Sequence, residues 1–233
     1  MEVENRAIVL KTTKYQDKNI IVKVYSLQHG LMSFFVQNVF STSKKPSKIA
    51  YFQPLNIIEF EFYSHKIGSL PKLKYVNNKY ILQENYTNIE RSSILIFLAE
   101  LINFCIKEEE KNQAMFTFLE HKILELENHY HSNFHLIFLL EFTAFLGFYP
   151  KIEYQENYFF DKQNGTFTPH YNTNCFSENQ SRFLAQFFEN PNIILNAVQK
   201  NNLINLWIEY YQNHIDSQLK LKSLEVLKEI FAV

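Results

Sequence analysis

The sequence has very little glycine and cysteine, and each shortage excludes a class of protein. Four glycines are spread over 233 residues, at Gly30, Gly68, Gly147 and Gly165. Walker-type and dinucleotide-binding loops need several glycines within a few residues, so that backbone N–H groups can reach phosphate. The two cysteines, Cys105 and Cys175, are too few for a disulfide framework or a four-thiolate zinc site. We therefore expect no such nucleotide chemistry and a reduced, cytoplasmic environment.

A targeting segment and a membrane span are also missing from the pattern. The first ten residues, MEVENRAIVL, carry acids where a secretory signal has bases, and no long apolar run follows. The most hydrophobic stretch, residues 94–106, contains Glu100 and Asn103 and is shorter than the roughly 20 residues that span a bilayer. We expect a soluble protein that does not use a membrane.

The net charge of −1 conceals a strong asymmetry between the two parts of the chain. Residues 1–80 contain twelve Lys and Arg against five acids, whereas residues 81–233 contain eleven against nineteen. The first part therefore carries +7 and the remainder −8. Such an asymmetry favours a polyanion-binding module joined to a different one, although segregation of charge between solvated faces would give the same numbers.

The first eighty residues have the alternation of short β-strands. Five runs stand out, at residues 7–13, 19–27, 31–39, 52–63 and 67–76. Gly30 follows His29 between the second and third runs, where a tight turn requires positive φ. Five strands in about 75 residues predict an OB-fold β-barrel, a fold whose open face and loops commonly bind single-stranded nucleic acid.

Lysines and aromatic residues on this barrel are the candidate DNA contacts. The segment after the third run, residues 41–48, is polar except for one proline and carries three lysines. Charge for phosphates beside rings for bases is the combination that single-strand binding needs. The residues predicted to contact DNA are Lys11, Lys14, Lys23, Lys44, Lys45, Lys48, Lys72, Lys74 and Phe34. Phe34 and Phe35 alternate along one strand, so at least one of them belongs to the core.

From about residue 81 the hydrophobic period changes to that of helices. Helices are predicted at residues 89–107, 114–127, 133–148, 177–190, 192–214 and 217–231, with Ser177 as an N-cap. Asn164 and Gly165 form a hairpin signal within residues 151–176. The fold expected is α+β: an OB barrel over 1–80, then an α-helical bundle domain over 81–233 that contains a small β-hairpin insert.

The remaining reactive side chains give no catalytic or metal signature. His129, His131 and His135 lie close together, but no carboxylate or thiol stands at ligand spacing beside them. His170 and Cys175 supply only two candidate ligands. We therefore expect no metal, no other cofactor and no enzymatic activity.

Short strings in a fixed order give the chain a resemblance to the RecO family of bacterial recombination-repair proteins. In the barrel the strings are AIVLK at 7–11, YQD at 15–17, QHGL at 28–31, FQPL at 52–55 and GSL at 68–70. In the helical part they are LL at 139–140, FLGFYP at 145–150 and LKSLEVL at 221–227. Each string is weakly specific alone, and the order and spacing carry the resemblance.

The resemblance implies a non-catalytic mediator of DNA repair and recombination. Members of the family bind single- and double-stranded DNA, promote annealing, associate with RecR, and help RecA replace single-strand binding protein. The helical domain of these proteins holds the acidic C-terminal tail of single-strand binding protein. Arg182, Lys220 and Lys222 are the cations of this chain that we assign to that peptide. A cytoplasmic, nucleoid-associated location follows.

The chain departs from the family pattern at two places. Several members carry a four-cysteine zinc knuckle in the insert, whereas this chain has only Cys175 there, so packing of aromatic residues such as Phe160 and Phe167 is expected to replace the metal. A Gly-Arg-rich string after the third strand is replaced by residues 36–40, where Asn38 can adopt positive φ. Two alternative functions remain open on sequence: an OB-fold scaffold that binds protein, and an RNA-binding accessory protein without a recombination role.

Overall fold

The protein forms two compact units, Met1–Tyr130 and His131–Val233. A computed structural model describes residues 5–40, 48–63, 70–107 and 110–231. The change from strands to helices falls between Asn78 and Gln83, close to the position expected from the sequence. Three helices nevertheless belong to the same compact unit as the strands. The division into separate domains at residue 80 therefore remains a prediction.

The N-terminal part of the first unit is a five-stranded antiparallel sheet that closes on itself. Its strands are β1 (Arg6–Tyr15), β2 (Asn19–Ser26), β3 (Gly30–Val36), β4 (Ile57–Phe62) and β5 (Leu73–Asn78), in the order β3-β2-β1-β4-β5. The Phe35 N–H donates to the Pro71 carbonyl at 3.1 Å, and Phe35 forms a parallel bridge with Lys72. This contact joins the two outer strands, and the resulting barrel confirms the predicted OB fold.

Alternating apolar residues of the strands fill the barrel. Val22, Val24 and Phe34 lie in the core with residues of β1 and β4. The pairing of β1 with β2 shifts between Val9 and Lys11, which is a β-bulge. Bulges increase local twist, and a small barrel needs that twist to close. Gly30 has φ of 69°, as its position in the β2–β3 turn requires.

Helices cover one end of the outer sheet surface and leave the other end exposed. The first unit contains α1 (Gln83–Thr87), α2 (Ile89–Cys105) and α3 (Gln113–Asn128). The Tyr25 ring stacks on Phe116 of α3, and Arg6 forms an ion pair of 2.7 Å with Glu120. The opposite end, which carries Lys11 and Tyr15 on β1, is solvent-exposed. The exposed Lys11 and Tyr15 therefore lie at the end of β1 that is away from these helices.

The second unit packs its helices around one almost wholly apolar helix. Its elements are α4 (Phe134–Leu146), α5 (Glu178–Glu189), α6 (Ala197–His214), α7 (Ser223–Ile230) and the hairpin β6 (Phe159–Asp161) and β7 (Thr166–Thr168). The Tyr211 hydroxyl of α6 donates to the Leu139 carbonyl of α4 at 2.8 Å. Gly147 ends α4 with φ of 86°, and Ser177 caps α5. The hairpin insert and the bundle are therefore as predicted.

Several boundaries differ from those expected. Residue 52 ends a 3-10 helix, Lys48–Phe52, and β4 begins only at Ile57. The first helix, α1, was not predicted, because five residues are too few to show a helical period. Helix α6 begins at Ala197, since Asn196 and Gln199 form a capping box there. None of the helices in the described ranges combines the length and apolar character of a membrane span.

Candidate nucleic-acid interface

A groove runs along the barrel where β3 meets β5. It has a volume of about 560 Å³ and is formed by the end of β3, the 3-10 helix and β5. The polar and aromatic residues that line it are Phe35, Gln37, Lys48, Tyr51, Tyr63, Lys72, Lys74 and Tyr75. We call this the β3–β5 groove. It exists because the Phe35–Lys72 bridge brings together strands that are far apart in the sequence.

Three of the predicted DNA-contacting lysines converge on this groove. Lys48 comes from the 3-10 helix, whereas Lys72 and Lys74 come from the β5 side. The Tyr63 N–H donates to the Lys72 carbonyl at 3.1 Å, which holds the backbone of this edge in place. Neither Lys48 nor Lys72 has an acidic partner among the residues that the structure describes. Their ammonium groups are therefore available to an anion.

Aromatic rings stand beside these lysines. Tyr63 and Tyr75 expose 57% and 49% of their surface, while Phe35 and Tyr51 are half-buried. A ring with one free face beside a cation can stack on an unpaired base while the cation holds the adjacent phosphate. Tyr51, Tyr63 and Tyr75 were not singled out from the sequence. Tyr75 directly follows Lys72 and Lys74 in the sequence, and this is the signal that could have found it.

Lys74 differs from the other lysines of the groove because it holds a carboxylate. Its Nζ lies 2.6 Å from Oε2 of Glu61 on β4, and both side chains are about half exposed. The hydrogen bond and the charge of Glu61 raise the pKa of Lys74. Glu61 is also the cross-strand partner of Tyr75. An acidic group therefore stands directly beside the groove.

A second group of cations lies on the exposed outer face of β1 and β2. Lys11 and Lys23 are directly opposite each other across these strands, and Lys23 faces Ser33 of β3. Partial burial, and then the charge of Lys11, lower the pKa of Lys23. Like charges in a cross-strand pair are destabilising. Neither lysine has an acidic partner within the described residues, so this pair is also open to an anion.

Phe35 joins the two groups of cations. Its ring makes an edge contact with Tyr15 at 5.8 Å between centroids, and Phe35 faces Ile21 across β2 and β3. Phe35 also lines the β3–β5 groove. Lysines and exposed rings therefore follow one another from β1 across β3 to β5. Asn38 has φ of 54°, so the chain turns after β3 in the way expected for a substitute of glycine.

The remaining DNA contacts predicted from the sequence have different outcomes. Phe34 has no exposed surface and packs on Phe60 and Phe62 inside the barrel, so the prediction that it contacts DNA is wrong. The alternation along β3 gives the outward position to Phe35 instead. Lys14 is exposed on β1 opposite Ile20 but does not line the groove. Lys44 and Lys45 lie outside the described residues.

The cations assigned to a partner peptide lie on different elements of the second unit. Arg182 is on α5 and donates a hydrogen bond of 2.9 Å to the Asn179 side chain. Lys220 and Lys222 are exposed in the segment that precedes α7. The peptide assignment therefore remains a prediction.

The hairpin insert is organised by a carboxylate and by aromatic packing, and its residues do not fit a zinc site. Asp161, buried next to Cys175, accepts hydrogen bonds from the backbone of Gln163 and Asn164 at 2.9 and 3.1 Å. Its other oxygen accepts from the side chains of Asn164 and Asn172. The described residues contain no cluster of three metal-binding side chains. A carboxylate that is already satisfied, beside a single thiol, cannot replace four cysteines.

Aromatic rings complete this insert. The Phe160 ring lies 5.1 Å from Phe167 and 5.5 Å from Tyr210 of α6, measured between centroids. Burial alone would raise the pKa of Asp161, but the hydrogen bonds from Asn164, Asn172 and Gln163 lower it overall. The predicted packing of Phe160 and Phe167 is therefore present, and the contribution of Asp161 was missed. Its position before a turn gave no sign of burial.

The fold and the groove define the class of this protein, an OB-barrel protein with a basic, aromatic surface and a following helical unit. Family models for the N-terminal and C-terminal parts of recombination protein O match residues 1–79 and 86–225. The DNA repair proteins RecO of Flavobacterium johnsoniae and Flavobacterium psychrophilum are 39% and 41% identical, over the full length of both chains. That of Phocaeicola vulgatus is 35% identical over 97% of each chain. The chain belongs to the RecO family, which confirms the resemblance and supports a role in DNA repair and recombination.

Proposed function

We propose that this protein is a non-catalytic mediator of DNA repair and recombination that binds single- and double-stranded DNA through its barrel. In this role it promotes annealing and helps load RecA onto single strands covered by single-strand binding protein. Membership of the RecO family supports the general role. The binding surface is proposed from the geometry of the chain itself.

The observation that carries the proposal is the convergence of unpaired lysines with exposed rings. Lys48 and Lys72 in the β3–β5 groove, and the Lys11–Lys23 pair on the strand face, lack acidic partners among the described residues. Tyr63 and Tyr75 present rings at the same groove. Phosphates form ion pairs with such cations, and unpaired bases stack on such rings. A single strand provides both along one path.

Two protein partners complete the proposed role. RecR and the acidic C-terminal tail of single-strand binding protein are expected from the family resemblance. Arg182, Lys220 and Lys222 are the exposed cations of the second unit assigned to the tail. Calorimetric titration with a peptide of that tail tests the assignment, and an absence of both heat and competition would remove this part of the proposal.

The DNA surface is tested by fluorescence anisotropy with a labelled single-stranded oligonucleotide over a range of salt concentrations. If about four phosphates are neutralised, log K falls against log salt with a slope of about −3. The double variant Lys23→Gln, Lys72→Gln removes two cations without an ion pair, so it lowers the magnitude of the slope by about 1.4 and the affinity at low salt about tenfold. Tyr75→Leu weakens binding without changing the slope.

A charge-matched control locates the effect. Lys151→Gln with Lys220→Gln removes two exposed lysines from the second unit and is expected to leave affinity and slope unchanged. An equal loss in the control, or binding that is insensitive to salt, would contradict the assignment to the barrel. Competition by RNA of the same sequence separates the RNA-binding alternative, because only RNA carries the 2′-hydroxyl.

A further inference from the structure

Lys74 is a lysine of the β3–β5 groove whose ammonium group is already engaged. Its Nζ lies 2.6 Å from the Glu61 carboxylate, whereas Lys48 and Lys72 have no acidic partner among the described residues. An ammonium group has three donors, and phosphate and carboxylate oxygens are equivalent acceptors for them. A phosphate that approaches Lys74 therefore meets a cation whose charge a carboxylate already partly compensates.

The position of Glu61 places its negative charge beside a strand that lies in the groove. Glu61 and Tyr75 are cross-strand partners, and Tyr75 lines the groove beside Lys74. Both members of the ion pair are about half exposed, so bound nucleic acid reaches them without unfolding the barrel. A phosphodiester bound here either displaces the carboxylate or lies beside its negative charge.

We propose that Glu61 is an internal competitor that lowers the affinity of the groove for the phosphodiester backbone by occupying Lys74. This inference rests on the proposed nucleic-acid binding and adds a regulatory element to the same site. Exposed ion pairs are weak, so the competition reduces affinity without blocking the site. It also reduces the salt dependence of binding. The phosphate releases its cations when it binds, but the carboxylate displaced from Lys74 attracts cations from solution, so fewer cations are released in total.

Glu59 provides a matched control on the same strand. It forms an ion pair of 2.6 Å with Lys79, and neither residue lines the groove. Glu59→Gln changes the net charge of the barrel as Glu61→Gln does, but it does not free a groove lysine. The two variants together separate local competition from a general effect of charge.

The experiment measures single-strand affinity against salt for the unmodified chain and for Glu61→Gln, Glu59→Gln, Lys74→Gln and the Glu61→Gln, Lys74→Gln double variant. Glu61→Gln is expected to bind about two- to fivefold more tightly at low salt, with a slope steeper by about 0.7. Glu59→Gln should match the unmodified chain. Lys74→Gln should cost several-fold more affinity when residue 61 is Gln than when it is Glu.

The outcomes distinguish this inference from the function on which it depends. Equal effects of Glu61→Gln and Glu59→Gln, or an equal cost of Lys74→Gln in both backgrounds, would overturn the competition while DNA binding stands. Failure of the unmodified chain to bind the oligonucleotide in a salt-dependent way would overturn both. Thermal unfolding of each variant checks that the exposed substitutions leave the barrel folded.

Discussion

The barrel and the second unit differ in how some of their charged groups are partnered, although the barrel also contains ion pairs such as Lys79–Glu59. On the barrel, Lys11 and Lys23 face each other without an acidic partner among the described residues. In the second unit, Asp161 is buried and receives four hydrogen bonds, and Lys162 pairs with Glu209 of α6. A surface that leaves like charges opposed gives up stability, which a ligand of opposite charge restores. Under the proposed function, the unpaired lysines of the barrel are the ones that serve binding, whereas Asp161 and Lys162 serve the fold of the second unit.

His135 departs from this pattern inside the second unit, because its ring is buried without a compensating hydrogen bond. It lies on α4 with no exposed surface, and neither ring nitrogen has a hydrogen-bond partner in the described part of the chain. The Phe231 ring is 4.8 Å away, and the charges that act on it come from Lys200 and His131. Burial, followed by these two charges, lowers the pKa of His135 to about 3. The folded protein therefore holds this imidazole neutral.

Acid should destabilise the second unit through His135, and this is the largest effect that we predict. The unfolded chain binds a proton with an ordinary pKa near 6.5, while the folded chain does not do so until the pH approaches 3. Falling pH therefore favours the unfolded state, by about 2 kcal/mol at pH 5 relative to pH 7. His135→Phe should lose this component in urea unfolding measured at both pH values. The exposed His170→Asn serves as control, and identical pH profiles for His135→Phe and the unmodified chain would refute the assignment.

Removing the Asp161 carboxylate should give the next largest loss. Asp161→Ala leaves donors of Gln163, Asn164 and Asn172 without their acceptor. These residues are exposed, so water replaces part of what is lost, and the cost is about 1–2 kcal/mol of unfolding free energy. Since the pKa of Asp161 is lowered in the folded state, its contribution is present above the ordinary value and is lost as the pH falls through the folded value. Urea unfolding of Asp161→Ala and of the exposed Glu156→Ala measures the difference.

Asp161→Ala also tests whether DNA binding by the barrel is independent of the hairpin insert. Asp161→Ala is expected to leave oligonucleotide affinity unchanged at temperatures where the protein is folded, because Asp161 holds the insert and not the barrel. A loss of DNA affinity equal to that of the barrel variants would contradict the comparison between the barrel and the second unit.

A metal chelator should leave the melting temperature of the unmodified chain unchanged, since hydrogen bonds and aromatic rings occupy the place of a metal in the insert.

The local sequence pattern was sufficient to predict the barrel strands and most helices. It failed where contacts between residues distant in the sequence determine the position of a side chain. Alternation showed that either Phe34 or Phe35 is in the core, but the register of the whole sheet decides which one. The lysines were visible as candidates, whereas their convergence depends on the Phe35–Lys72 bridge between strands remote in sequence. Residues before α7 were expected to be helical, yet the Asp216 side chain accepts from Gln218 and forms a turn instead.

The smallest predicted effect is on the stability of the barrel, and it tests most directly whether a barrel lysine serves binding at the expense of stability. Lys23→Gln removes the repulsion from Lys11, so it is expected to raise the unfolding free energy by a few tenths of a kcal/mol while weakening oligonucleotide binding. High salt screens the repulsion between these two cations, so the gain in stability should diminish there. The exposed Lys18→Gln, in the turn before β2, lacks this cross-strand partner and should leave stability unchanged. A Lys23→Gln variant that loses stability together with affinity would show that this lysine supports the fold, as the charges of the second unit do.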